Sequence, residues 1–213
     1  KFLSDDTYYA YVIAQNFAQD KGIVFNDNIP TNGFHPLYTL VILTPLFKLL
    51  YGFGINVPIY ASLIVISVFT IGTSILLYKI LTKLLNKKTG VVGAFIWLFN
   101  PYVLFVSFIG LESAVQIFFI SLLVYFLLTR KTRSSYSIKE SAIIGLLIGL
   151  VFLSRMDGVF VGFGIVGALL LRKILEKGFS ITDLKKIKDL IIIIVTASMV
   201  VLPWLLWNFI TLD

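Results

Sequence analysis

Residues 57–78 read VPIYASLIVISVFTIGTSILLY, twenty-two positions without one charged side chain. A helix needs about 20 mostly apolar residues to cross a bilayer core about 30 Å thick, so this stretch decides the fold class. Residues 91–109, 113–128 and 190–210 repeat the pattern. Residues 141–171 are too long for one crossing and carry RMDG (155–158) at their middle, so two shorter helices are expected there. Residues 36–53 contain Pro45 and Lys48 and are expected to lie at the membrane surface rather than cross it. The whole chain agrees: 58% of its 213 residues are hydrophobic and 14% charged, with a mean hydropathy of +0.96. Soluble domains hold about 45–50% apolar and about 25% charged residues, so a water-soluble fold is excluded, as are disordered, collagen-like and disulfide-framework classes. The lack of cysteine removes thiol catalysis, Cys-ligated zinc and iron–sulfur clusters, and leaves the redox compartment unread. No repeat with a period of about 20–50 residues is present.

The formal net charge of +7 could mark a nucleic-acid partner, but in so apolar a chain it reports topology first. With 36–53 not crossing, positions 79–88, 130–139 and 172–188 fall on one side and hold fourteen of the eighteen basic residues, so that side is expected to be cytoplasmic. A crossing 36–53 would leave these clusters together and invert them relative to residues 1–35. The opposite face collects Asp5, Asp6, Asp20, Asp27, Glu112, Asp157 and Asp213. No nucleic-acid partner is expected. Trp204 and Trp207 fit an aromatic belt at the acidic end, and residues 172–189 read as a surface helix and linker. The chain opens at Lys1 without an initiator methionine or signal-peptide pattern, and is expected to be an internal piece of a longer membrane protein.

Ser4 before Asp5 and Asp6 is a helix-start signal. The helix is expected to run to about Asp20, with Gly22 as its left-handed stop and Ala10, Ile13, Ala14 and Phe17 as its apolar face. Acids in a first turn gain about 0.3–1 kcal/mol each from the macrodipole, a sufficient structural reason for both. Adjacent carboxylates held at a membrane surface are also suited to take a proton from a hydroxyl. His35, the single histidine, follows turn signals at 29–30 and 32–33 and precedes Pro36. Alone it makes no metal site, and neighbouring acids add only a weak oxygen-rich one. Glu112 opens an apolar helix, where an acid is favourably placed. Arg155 and Asp157 share a turn and suit a local ion pair, while an arginine is also a natural partner for a lipid-linked phosphate. Acids, one histidine and one arginine on one face of an otherwise uncharged bundle point to an active site there.

DDTYY (5–9), IAQN (13–16) and GIVF (22–25) resemble the start of the first large outer loop of polytopic GT-C glycosyltransferases. TNGFHPLY (31–38), GLES (110–113), LSRMDG (153–158) and PWLLWN (203–208) then resemble that family's later motifs, in order. Met156 stands where the family often has proline, and the family's first span has no counterpart in these residues. The resemblance is to enzymes of the protein mannosyltransferase and aminoarabinose transferase kind.

It implies an all-α, polytopic transmembrane helix bundle, the GT-C module lacking its first span. Residues 1–56 would form an exofacial loop with amphipathic helices, and 57–213 the bundle. It implies a hexosyl- or pentosyltransferase of the cell envelope, multi-pass in the cytoplasmic membrane, with its active site on the extracytoplasmic face. The donor would be a polyprenyl (dolichyl or undecaprenyl) phosphate sugar, the acceptor a glycan, lipid or protein, and membrane lipids the surroundings. The family's first motif acid, the usual general base, maps to Asp5. Helical phase puts Asp6 in register with Ala10, Ile13 and Phe17, so Asp6 is the alternative base or an orienting partner. Arg155, then His35, are expected to stabilise the departing phosphate, with Glu112 and Asp157 completing the substrate-binding set. No resident cofactor is implied and metal-independent chemistry is expected, although paired acids are compatible with Mg²⁺ or Mn²⁺. Two other readings stay open. A secondary transporter is favoured by the Asn100-Pro101 interruption, whose simpler reading is a proline kink within one helix. In a non-catalytic membrane assembly subunit the acids would serve as helix caps.

Overall fold

The computed structural model describes residues 3–26, 29–54, 56–130, 136–175 and 184–212. Asp27, Asp213, the basic residues Lys131, Arg133 and Lys177, and positions 176–183 of the expected linker lie outside the described residues. Within them every regular element is a helix, as the apolar runs require. α1 (Asp5–Ala18) leads into a loop closed by one antiparallel bridge, Val24 to Pro30. A π-helical turn, Leu37–Leu43, continues as α2 (Thr44–Leu50) and ends in a 3-10 turn, Tyr51–Phe53. There follow α3 (Asn56–Leu84), α4 (Lys87–Leu98), α5 (Pro101–Phe108), α6 (Ser113–Thr129), α7 (Ile138–Ser154), α8 (Gly158–Ile174) and α9 (Leu184–Leu212).

α1 and the 37–50 helix lie across one end of the bundle and are tied to its helix ends. Thr7 Oγ1 donates to the Ile109 carbonyl at 2.8 Å, Tyr38 donates to the Gly110 carbonyl at 2.8 Å, and the Tyr11 and Ser62 hydroxyls are bonded. Ser4 caps α1, accepting from Thr7 N. The helix stops two residues earlier than expected, because Asp20 itself takes the left-handed conformation (φ 60°) ahead of Gly22. Its buried face is Thr7, Ala10, Tyr11, Ile13 and Ala14, and Phe17 turns outward instead.

Six crossing segments were expected from the apolar runs. Among the described residues, α3 and Ile187–Thr211 of α9 are each long and apolar enough to cross a membrane, and α4 with α5 qualify only as a pair. α6, α7 and α8 have 17 residues each, about 26 Å of helix, at the short end of spanning lengths. The expected kink at Asn100-Pro101 is a full break. Asn100 Oδ1 accepts from the backbone N–H groups of Tyr102 and Val103, Pro101 begins a new helix, and the two helices meet at 48°. The 172–189 stretch is also not a detached surface helix. Arg172 and Lys173 end α8, residues 184–189 begin α9, and a buried Lys173–Asp189 ion pair of 3.1 Å joins the two. Tyr136 N, just before α7, donates to the same Asp189 carboxylate.

The bundle has the polarity of a structure built in lipid. On α3, Tyr60, Ile64, Val68, Ile71 and Ile75 are exposed while Ser62, Thr70, Thr73 and Ser74 are buried. The buried hydroxyls bridge helices, Thr70 to Ser107 at 2.9 Å and Ser74 to the Ala94 carbonyl at 3.1 Å. Without water to drive apolar faces together, close backbone approach and such bonds hold membrane helices. Gly145 and Gly149 of α7 supply that approach to α9. A Cβ on Gly145 would lie 2.4 Å from the Ile193 carbonyl oxygen, whereas one on Gly164 would meet nothing within 4 Å. Gly145→Ala is therefore expected to lower stability by about 1–3 kcal/mol through overpacking. Gly164→Ala should hold or raise it through helix propensity. Thermal unfolding of the two variants in detergent checks the opposite signs.

Candidate active site

The end layer meets the bundle around a cleft of about 210 Å³. The GLE turn between α5 and α6 positions its floor. Gly110 has φ 79°, and a Cβ there would stand 2.8 Å from Thr7 Cγ2 and 3.0 Å from the Tyr11 hydroxyl, so only glycine lets the turn sit under α1. Glu112 follows, buried at the start of α6. From the other side, the turn between α7 and α8 brings in Arg155, whose Nη1 donates to Glu112 Oε1 at 2.7 Å. From the end layer, the His35 imidazole Nε2 lies 3.4 Å from the same oxygen. The His35 carbonyl accepts from Thr39 N at 2.9 Å, so the π-helical turn starts on this histidine. Asp6, Tyr9, Tyr38 and Thr39 complete the polar wall.

Four of the six residues expected from sequence line this cleft: Asp6, His35, Glu112 and Arg155. Asp5 is one residue away on α1 and faces out of it. Asp5 and Asp6 are both exposed on the protein surface. Asp157 is outside the cleft as well. Its Oδ2 receives Arg155 Nε at 3.4 Å, and its Oδ1 receives Gln116 Nε2 at 2.6 Å. The local Arg155–Asp157 pair thus exists but is the longer one, and Arg155 belongs chiefly to Glu112. Glu112 stands at the N-terminus of α6, as its position in the sequence suggests, but its side chain makes no cap hydrogen bond there and turns to Arg155 instead. Arg155 Nη1 also reaches Ser113 Oγ at 3.3 Å, which leaves its Nη2 without a partner among the described residues. Glu112 and Asp157 both bind the one guanidinium, and Asp6 lines the same cleft, so carboxylates outnumber guanidinium groups there. Among the described residues no group of three or more His, Asp or Glu side chains is placed to hold a metal ion.

Sequence reasoning missed Tyr9, Tyr38, Thr39 and Gln116. Gln116 was within reach, since it stands four residues after Glu112 on one helix face. Tyr38 is in the quoted TNGFHPLY run, where it passes for a packing aromatic.

Burial pushes the His35 imidazole below its ordinary value of 6.5, with Glu112 opposing and Arg155 adding to the shift. The fold therefore favours the neutral ring, and the unfolded chain takes up more protons just below pH 6.5. His35 should contribute stability that is complete above pH 6.5 and is lost as pH falls through that value toward the lowered one. Melting temperature against pH, for wild type and His35→Asn, checks this: the variant should lack that part of the acid-side decline.

The family model for dolichyl-phosphate-mannose-protein mannosyltransferases matches residues 35–207. No individual curated protein and no solved structure matches the chain. The matched span includes His35, Glu112, Arg155 and Asp157, and begins after α1 with its two acids. It leaves the helix break at Asn100-Pro101 as a feature of a glycosyltransferase bundle rather than a sign of a transporter. With four fifths of its length inside that match, and with the helical membrane bundle the family requires, the chain belongs to the dolichyl-phosphate-mannose-protein mannosyltransferase family and is a membrane glycosyltransferase of GT-C type.

Proposed function

We propose that this chain transfers a sugar from a polyprenyl-phosphate carrier to an acceptor hydroxyl, with the reaction centred on the Asp6 cleft. The observation that carries the reading is the opposition across one small cleft of a free carboxylate, Asp6, and a guanidinium held by Glu112, Arg155. The acceptor O–H gives its proton to Asp6 as its oxygen bonds to the anomeric carbon. The bond from that carbon to the phosphate oxygen breaks, and the lipid phosphate leaves with the electron pair. A single displacement of this kind inverts the anomeric centre. Asp6 replaces the motif-based choice of Asp5, because Asp6 lines the cleft. Arg155 has two of its nitrogens engaged by carboxylates and presents Nη2 to the leaving phosphate. Asp157 and Gln116 hold that guanidinium in place.

An apolar groove of about 460 Å³ runs between α7, α8 and α9 and starts at Gly158, three residues beyond Arg155. It is lined by Gly149, Gly162, Phe163, Ala197 and Val201, among others, and suits an isoprenoid chain whose phosphate sits at Arg155. Among the described residues, α1 and the 37–50 helix lie over the site and α3–α9 form the bundle below. The basic ends at Lys83, Arg130 and Arg172 are opposite the cleft, which supports an extracytoplasmic site by the positive-inside rule.

Transfer from a radiolabelled polyprenyl-phosphate sugar, measured in membranes, tests this. Asp6→Asn should lose about 100-fold or more, the scale of a general base, and Asp5→Asn should lose less. The reverse order would make Asp5 the base. Transfer persisting in both variants would remove a carboxylate base from the mechanism.

A further inference from the structure

Six buried side-chain polar atoms have no hydrogen-bond partner among the described residues, and two of them, His35 Nδ1 and Thr39 Oγ1, belong to residues lining the Asp6 cleft. Thr39 is fully buried. A hydroxyl without a partner in such a place is costly, and valine would fill the same shape without that cost. The two residues are one turn apart, linked by the Thr39 N–H to His35 carbonyl bond of 2.9 Å, so their side chains leave the same side of the helix start. Thr39 also sits in the π-helical turn Leu37–Leu43, and such turns recur at functional sites.

The chemistry of the pair narrows what it would hold. His35 Nε2 faces the Glu112 carboxylate at 3.4 Å and so carries the ring proton, leaving Nδ1 as an acceptor. The threonine hydroxyl can donate. One acceptor beside one donor is satisfied by a single alcohol, whose O–H goes to Nδ1 while its oxygen takes the Thr39 proton. A carboxylate or phosphate oxygen only accepts and leaves Nδ1 unpaired, and an apolar group satisfies neither.

We propose that His35 Nδ1 and Thr39 Oγ1 form a two-point site for one hydroxyl of the transferred sugar. The proposal rests on the reading of this cleft as the glycosyl-transfer site and adds a specificity-determining pair to it. Wild-type protein selects, through this pair, donors that carry a hydroxyl at one ring position.

The test is a set of polyprenyl-phosphate sugars each lacking one ring hydroxyl. Wild type should lose about 5- to 100-fold in kcat/KM at one position, the cost of stranding a buried pair. Thr39→Val should show a similar loss with the complete sugar and little further loss when that hydroxyl is absent, while penalties at other positions stay as in wild type. Thr39→Ser should keep the wild-type pattern. The melting temperature of Thr39→Val without substrate should match or exceed wild type, since an unpaired hydroxyl is removed. An unchanged deoxy-sugar pattern in Thr39→Val overturns the proposal. So does a lowered melting temperature or failure to fold, which assigns Thr39 to structure. Absence of transfer by wild type from every such donor, the complete sugar included, sinks the reading of this cleft as a polyprenyl-phosphate-sugar transfer site, and is told apart by that control.

Discussion

Glu112 carries a charge that is taken almost completely out of water, and a buried carboxylate persists only where a cation and hydrogen bonds compensate it. Here the compensation comes from Arg155, on a turn 43 residues further along the chain. The 2.7 Å contact fixes the start of α6 against the junction of α7 and α8. His35 approaches the same oxygen from the end layer, so three separate parts of the chain have their relative positions set by one side chain. Loss of the guanidinium would leave the carboxylate uncompensated, and the layer, the turn and the helix start would all lose their common reference. The other ties of the layer, Thr7 to Ile109 and Tyr38 to Gly110, act at the same junction and hold α1 with Asp6 at its rim.

Below that junction the bundle is held differently. On α3 aliphatic side chains face outward and hydroxyls inward, and Gly145 and Gly149 of α7 pack closely on α9, around a core that also buries Ile66, Leu123, Ile144 and Ile193. Two regimes therefore meet at the cleft: helix packing through small residues beneath it, and a charged, hydrogen-bonded layer above it. The polar groups of the candidate site lie where these regimes join.

The helical fold and the clustering of charges were legible in sequence because both rest on local composition. An uncharged run such as 57–78 has one solution in a membrane, and the order of charged turns along the chain places Glu112 and Arg155 at one end. The Ser4 start of α1 was equally plain, being a matter of one side chain and one backbone donor. What sequence did not carry was rotation and partnership. The face that α1 buries is set by Ile109 and Ser62, far along the chain, so Phe17 was placed inside when it is outside. Asn100-Pro101 was read as a kink because the capping of Tyr102 and Val103 by Asn100 is a matter of side-chain geometry. Glu112 and Asp157 each looked complete as local features, a helix-terminal acid and a short-range pair. Only the approach of α7 to α6 turns them into an anchor for Arg155. Thr39 gave no signal at all, since a threonine among Leu, Tyr and Val reads as a β-branched packing residue.

The buried Lys173–Asp189 pair bears on the groove between α8 and α9. It pins those helices together at the end remote from Arg155, where Leu169 and Leu170 of α8 pack against the cluster that includes Leu190 and Ile193 of α9. The groove's lining on α8 runs from Gly158 to Val166 and stops short of that pair. On the proposed reading, an isoprenoid chain would enter it sideways from the surrounding lipid. The groove's length would then set how many carbons of that chain are gripped behind the phosphate, with any longer tail left in the bilayer.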